Sequence, residues 1–170
     1  MQALHEAREK KQEEMEVQAK LLAKYETDDL EQQAKMRILD DYAKILRAKP
    51  VGYIAEPNGM RMSTWRVELH SFEECTSVHK ELEEVKKCTG KAAIEMEIKF
   101  PDNYPFAAPF VRVVRPLLIP GRVVDSDGSV VIEMLTEKAW RPTYSTTAIV
   151  ETIRQEIATG GSKVAFKHTS

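Results

Sequence analysis

Phe100-Pro101-Asp102-Asn103-Tyr104-Pro105-Phe106-Ala107-Ala108-Pro109 is the stretch on which the reading of this chain turns. Its three prolines each fix φ and remove a backbone donor, so the segment cannot join a sheet interior. It reads as a rigid excursion between strands. Just before it, Ile94, Met96, Ile98 and Phe100 alternate with Glu95, Glu97 and Lys99, the cleanest strand pattern in the sequence. Just after it, Val111 to Arg115 gives a further strand.

Working outward, Trp65, Val67 and Leu69 alternate with Arg66, Glu68 and His70, a half-buried strand. Between the two strands, Val78, Leu82 and Val85 recur at helical spacing, which predicts a short amphipathic helix between Cys75 and Gly90. A longer helix is predicted from Asp28, where Asp28 and Glu31 have capping-box spacing and Leu30, Ala34, Ile38, Tyr42 and Ile45 follow at helical intervals. Pro50 ends it. Toward the C-terminus, Gly121 to Gly128 reads as a loop with Asp125, Ser126, Asp127 and Gly128 supplying turn chemistry. Val130 to Leu135 is an apolar run broken by Glu133. The last element is a helix capped by Ser145 or Thr146, with Ile149, Ile153 and Ile157 on one edge and Gly160-Gly161 as its stop. Helix, antiparallel strands, helix: the order predicts an α+β domain.

The 170 residues hold 42% hydrophobic and 31% charged residues, enough for one domain with a real core. A net charge of -2 with scattered Lys and Arg gives no footprint for nucleic acid. The charged N-terminus is no signal peptide and no apolar run approaches membrane-spanning length. Cys75 and Cys88 are too few for a disulfide framework, and no Cys or His completes a metal site around either, so no metal and no cofactor is expected. His5, His70, His79 and His168 are dispersed. The expectation is an intracellular protein, cytoplasmic or nuclear, with no membrane partner. Residues 1–26 stand apart as a charged extension, either a fraying helix or disordered tail or a short coiled-coil partner site. Residues 27–170 form the expected domain.

Three stretches in order resemble the ubiquitin-conjugating enzyme family. The proline bend is similar to the family's Phe-Pro-x-x-Tyr-Pro-x-x-Pro-Pro segment, with one proline instead of two at Ala108-Pro109-Phe110. Gly128-Ser129-Val130-Val131-Ile132-Glu133-Met134-Leu135 is similar to the family's Gly-x-Ile-Cys-Leu-Asp-Ile-Leu active-site segment, and Trp140-Arg141-Pro142-Thr143 to its Trp-Ser-Pro-Ala loop. The spacing from Leu135 to that loop is one residue longer than usual. The resemblance spans roughly Asp28 to the end and is nearest the Q-type subfamily, which also departs from the usual His-Pro-Asn motif. It implies the UBC-like fold: an antiparallel meander sheet flanked by an N-terminal and a C-terminal helix. Catalytic members usually continue into two more C-terminal helices, whereas this sequence stops soon after Gly160-Gly161.

In that family a cysteine thiolate accepts the ubiquitin C-terminus as a thioester and passes it to an amine. Val131 stands at the cysteine position, and an isopropyl group offers no nucleophile. No cysteine follows Cys88, so no shifted alignment restores one. Ser126, Ser129 and Thr136 are nearby hydroxyls without a visible histidine base. Taken without the family, Val131 is a β-branched residue packing on a short strand or its edge. The resemblance assigns no catalytic residue here and leaves two partner-binding positions, Phe106 on the bend and Pro142 on the tryptophan loop, where the family meets ubiquitin ligases. Phe106 either anchors a partner or packs on the first helix of the domain, while Trp140 belongs to the core. The partners implied are ubiquitin or a ubiquitin-like protein, an active conjugating enzyme, and a ligase. An active enzyme with an unrecognised nucleophile, or an RWD-like interaction module, are the alternatives.

Overall fold

A computed structural model describes residues 2–25, 30–160 and 162–165. Among these residues four helices and four strands follow one another as α1 (Gln2–Lys24), α2 (Gln32–Ala48), β1 (Tyr53–Asn58), β2 (Arg61–Leu69), α3 (Ser77–Thr89), β3 (Ile94–Lys99), β4 (Phe110–Arg115) and α4 (Thr146–Thr159), with a 3-10 turn at Glu133–Leu135. The strands form one antiparallel sheet in the order β1-β2-β3-β4. This is the expected α+β meander.

Period-2 alternation gives the sheet one apolar face. Val67 lies opposite Met96, Trp65 opposite Ile98, Ile98 opposite Val111 and Met96 opposite Val113, and all six side chains are buried. Each contributes about 1.5–3 kcal/mol on full burial. The other face carries charge pairs between strands, such as Arg66 with Glu56 at 3.6 Å and Arg115 with Glu95 at 2.9 Å. α2 packs on the apolar face near β2, and α4 lies against both α2 and α3. In α4, Ile149, Ile153 and Ile157 are wholly buried.

The sequence reading is corrected in several places. β1 has no counterpart in it, although Tyr53, Ala55 and Pro57 are buried and alternate with exposed Ile54, Glu56 and Asn58. Pro57 is tolerated because β1 is an edge strand. Asp28 lies outside the described residues, and Glu31 is the N-cap of α2 rather than a residue of its first turn, with no side-chain cap bond. The Glu31 backbone is extended there, and its N–H donates to the Asp102 carbonyl of the proline bend at 3.2 Å. Gly160 does end α4, though at φ -80, outside the left-handed region. The glycine matters through crowding: a Cβ would lie 2.5 Å from the Glu156 carbonyl.

α1 is helical over 23 residues and folds back along α2. Leu21 is buried, Val17 and Tyr25 pack on the core, and Arg47 meets Glu14 at 2.8 Å. Residues 2–13 are exposed throughout.

Candidate functional site

Residues 123–135 wrap the free edge of β4. The Val113 N–H donates to the Gly128 carbonyl at 2.8 Å, and the Val130 N–H donates to the Val111 carbonyl at 2.9 Å. Gly128 sits at φ +88, and a Cβ there would come within 3.0 Å of the Val113 carbonyl, so conformation and space both call for glycine. The turn before it is held by its own acids. Asp125 accepts the Ser126 N–H at 2.7 Å, and Asp127 accepts the Ser129 N–H at 2.9 Å. Hydrogen bonds from the Ser129 backbone hold the Asp127 carboxyl below its ordinary range.

Val131 follows as the chain leaves this rung. Its N–H donates to the Val123 carbonyl at 2.7 Å, which fixes the backbone. Its side chain is 48% exposed, while Val130 and Ile132 on either side are buried. The expectation of a residue packed on a strand therefore needs correction: alternation turns residues 130 and 132 inward and 131 outward, so Val131 contributes well under the ~1.5–3 kcal/mol of full burial. An outward side chain on a fixed backbone is how a loop presents a group to a partner, yet valine carries no titratable or nucleophilic atom. Close by in sequence, the Thr136 hydroxyl donates to the Glu133 carbonyl at 2.7 Å. His5 and His70 are paired elsewhere, with Glu9 and Ser71. The free thiols Cys75 and Cys88 are exposed, one just before α3 and one near its end. Among the described residues no group of three or more His, Cys, Asp or Glu could hold a metal ion, and no helix is long and apolar enough to cross a membrane.

Phe106 and Pro142 occupy a second locality. Phe106 is 61% exposed at the tip of the bend, so it does not pack into the core, and its N–H donates to the Asn103 carbonyl at 3.0 Å. Pro142 is also exposed. The loops bearing them are tied directly, because the buried Trp140 indole N–H donates to the Pro105 carbonyl at 2.7 Å. They are tied again from below by α2. Arg37 donates through its terminal nitrogens to the carbonyls of Pro142 and Tyr144, both at 2.9 Å, and through Nε to Asp41 Oδ1 at 3.2 Å. Asp41 Oδ2 accepts the Tyr104 hydroxyl at 2.9 Å, the Thr146 hydroxyl at 2.8 Å and the Thr146 N–H at 3.2 Å. Asp41 is 2% exposed. Four donors on two oxygens fill the capacity of a carboxylate, the condition under which a buried charge is tolerated. Burial first, and then the Asp41 charge, raise the Tyr104 phenol above its ordinary value. The hydrogen bonds of the Val131 segment run instead to Val123 and β4.

Neither Arg37 nor Asp41 was anticipated as part of a site. One signal was present: Asp41 falls on the stripe Ala34, Ile38, Ile45, an acid at a core position of an amphipathic helix. An aromatic ladder runs through the same region, Tyr25–Tyr42–Trp65–Phe100–Tyr104–Trp140–Tyr144, with successive ring centroids 4.8–6.3 Å apart. Such contacts add about 0.5–1.5 kcal/mol each beyond burial.

Comparison with known proteins agrees with this arrangement. The family model described as Ubiquitin-conjugating enzyme matches residues 86–166, from the end of α3 past α4. Human ubiquitin-conjugating enzyme E2 Q1 is 31% identical over 137 residues, 79% of this chain. The chain belongs to the UBC-like family. Human ubiquitin-conjugating enzyme E2Q-like protein 1 is 30% identical over 103 residues, 61% of each protein, so the family's Q type recurs among the relatives. The chain spans only 32% of E2 Q1. In fold, the structure of human ubiquitin-conjugating enzyme E2 G1 superposes with a TM-score of 0.60 at 18% identity, covering 75% of this chain and 96% of that one.

Proposed function

We propose that this UBC-like chain is a non-catalytic variant that works by binding: it engages ubiquitin, an active conjugating enzyme or a ligase, and forms no thioester of its own. The observation that carries the reading is Val131, at the position where the family's active-site segment has its cysteine, its side chain turned to solvent without a nucleophilic atom. Phe106 and Pro142 are the proposed contact residues. An exposed aromatic ring on a proline-stiffened bend loses little freedom on binding and suits a hot-spot anchor. In this reading residues 27–170 are the binding domain, residues 1–26 an extension to it, and the setting is intracellular.

A charging reaction tests the chemistry. With activating enzyme, ATP and ubiquitin, the chain is expected to show no thiol-sensitive adduct on a non-reducing gel; such an adduct overturns the proposal. Titration of the labelled chain with ubiquitin, alone and with a conjugating enzyme, tests the binding. Amide shifts around Val131 or Phe106 are expected. A spectrum unchanged at high excess of both proteins points to an RWD-like role outside the ubiquitin system.

A further inference from the structure

We infer that Arg37 and Asp41, one turn apart on α2, are positioning residues that fuse the Phe106 bend and the Pro142 loop into one docking element whose spacing is set from beneath. The inference rests on the proposed docking role of Phe106 and Pro142 and adds what holds them in register. Asp41 reaches Tyr104, two residues before Phe106, and Thr146, four residues after Pro142, through the same oxygen, Oδ2. The Tyr104 and Thr146 hydroxyls are themselves 3.4 Å apart. A shift of either loop therefore changes the acceptor shared with the other. Arg37 adds a fork: Nε on Asp41 and the two terminal nitrogens on the Pro142 and Tyr144 carbonyls, so one planar group fixes both the carboxylate and the loop. Lysine, with a single nitrogen, cannot span these three acceptors. The Asp41 charge also faces the first turn of α4, where the exposed N–H groups favour an anion.

The two loops are otherwise far apart in sequence, with Tyr104 and Thr146 separated by 42 residues. Both are irregular, and without a common anchor each would relax by itself. The Trp140–Pro105 hydrogen bond and the Tyr104–Trp140 ring contact join them on the Trp140 side. The carboxylate and guanidinium add attachments from a rigid helix. Two loops held to a single helix turn move together, and that concerted behaviour separates a positioning role from general stabilisation.

The test is transmission between the loops. Thr146 is wholly buried and cannot touch a partner. Thr146→Val removes its hydroxyl at one end of the network; Thr146→Ser retains it. In amide spectra of the full chain, Thr146→Val is expected to shift residues 103–106 as well as 141–146, and Thr146→Ser to restore the wild-type positions. Arg37→Lys, at a part-exposed position, is expected to shift both loops likewise. Binding of a RING-type ubiquitin ligase domain is then expected to weaken about two- to thirtyfold with Thr146→Val, with rescue by serine. Perturbation confined to 141–146 in both Thr146→Val and Arg37→Lys overturns the inference. If the cross-loop shifts occur but neither Thr146→Val nor Phe106→Ala alters ligase binding, the positioning stands and the docking reading fails.

Discussion

Replacing Asp41 by asparagine measures what the buried carboxylate contributes to the fold. The substitution keeps shape and one carbonyl oxygen. With that oxygen toward Tyr104 and Thr146, all three donors on Oδ2 keep an acceptor, now neutral. Hydrogen bonds to charged groups contribute about 1.5–3 kcal/mol against about 0.5–1.5 for neutral ones, so the three weaken by about 3 kcal/mol together. The new amide faces Arg37 Nε donor to donor, but Arg37 is a quarter exposed and still holds Pro142 and Tyr144, so this adds little. Relief from burying a charge returns about 1 kcal/mol. The net expectation is a loss of about 2 kcal/mol. At about 2–4 °C per kcal/mol for a chain of this size, Tm falls by about 4–8 °C. Asp41→Ala strands the Tyr104 and Thr146 donors and is expected to lose about 4 kcal/mol. Urea unfolding followed by far-UV circular dichroism reads both variants, with an unchanged m-value showing that the denatured state is the same. A loss under about 0.5 kcal/mol for Asp41→Asn would refute the reasoning, since the carboxylate would then be no better an acceptor than an amide.

Four further outcomes follow from the structure. Phe106→Ala, at an exposed bend tip, is expected to change stability by less than about 0.5 kcal/mol while weakening ligase-domain binding at least about thirtyfold, read by calorimetry. Val131→Cys places a thiol on an outward, backbone-fixed position and is expected to form a thiol-sensitive ubiquitin adduct that the wild-type chain does not, with charging that accelerates as pH approaches the ordinary thiol value of about 8.5. Gly128→Ala combines a left-handed backbone with a 3.0 Å approach to the Val113 carbonyl, and is expected to lower stability by about 1–3 kcal/mol in thermal unfolding. Burial pushes the Tyr42 phenol up to about 12. The neutral form is favoured in the fold, so its contribution is complete below about pH 10 and is lost as pH rises from there through about 12; phenolate absorbance should show a late-ionising tyrosine that Tyr42→Phe removes.

Legibility in the sequence followed the range of the interactions. Trp65-x-Val67-x-Leu69 and Ile94-x-Met96-x-Ile98 declare their strands because alternation is a property of neighbours, and α4 shows its apolar edge for the same reason. Pro57 concealed β1, since whether a proline sits at a sheet edge is a matter of topology. Val131 was located by the motif around it, but its outward direction depends on a hydrogen bond from Val130 to Val111 of β4. Asp41 and Arg37 were invisible as parts of a site because their partners lie 63 to 107 residues away. A lone acid on an apolar helix stripe was the one local trace of that network.

The aromatic ladder gives the molecule its own optical reporters. Both tryptophans of the chain belong to it, Trp65 between Tyr42 and Phe100, Trp140 between Tyr104 and Tyr144. Their indoles donate to different carbonyls, Met62 within β2 and Pro105 in the bend. Light absorbed by the tyrosines passes to these two emitters, one embedded in the core and one riding on the Phe106 bend. With Trp140→Phe the remaining emission follows the core alone, and with Trp65→Phe it follows the bend, so intrinsic fluorescence distinguishes a partner arriving at the bend from loosening of the whole fold, without any attached dye.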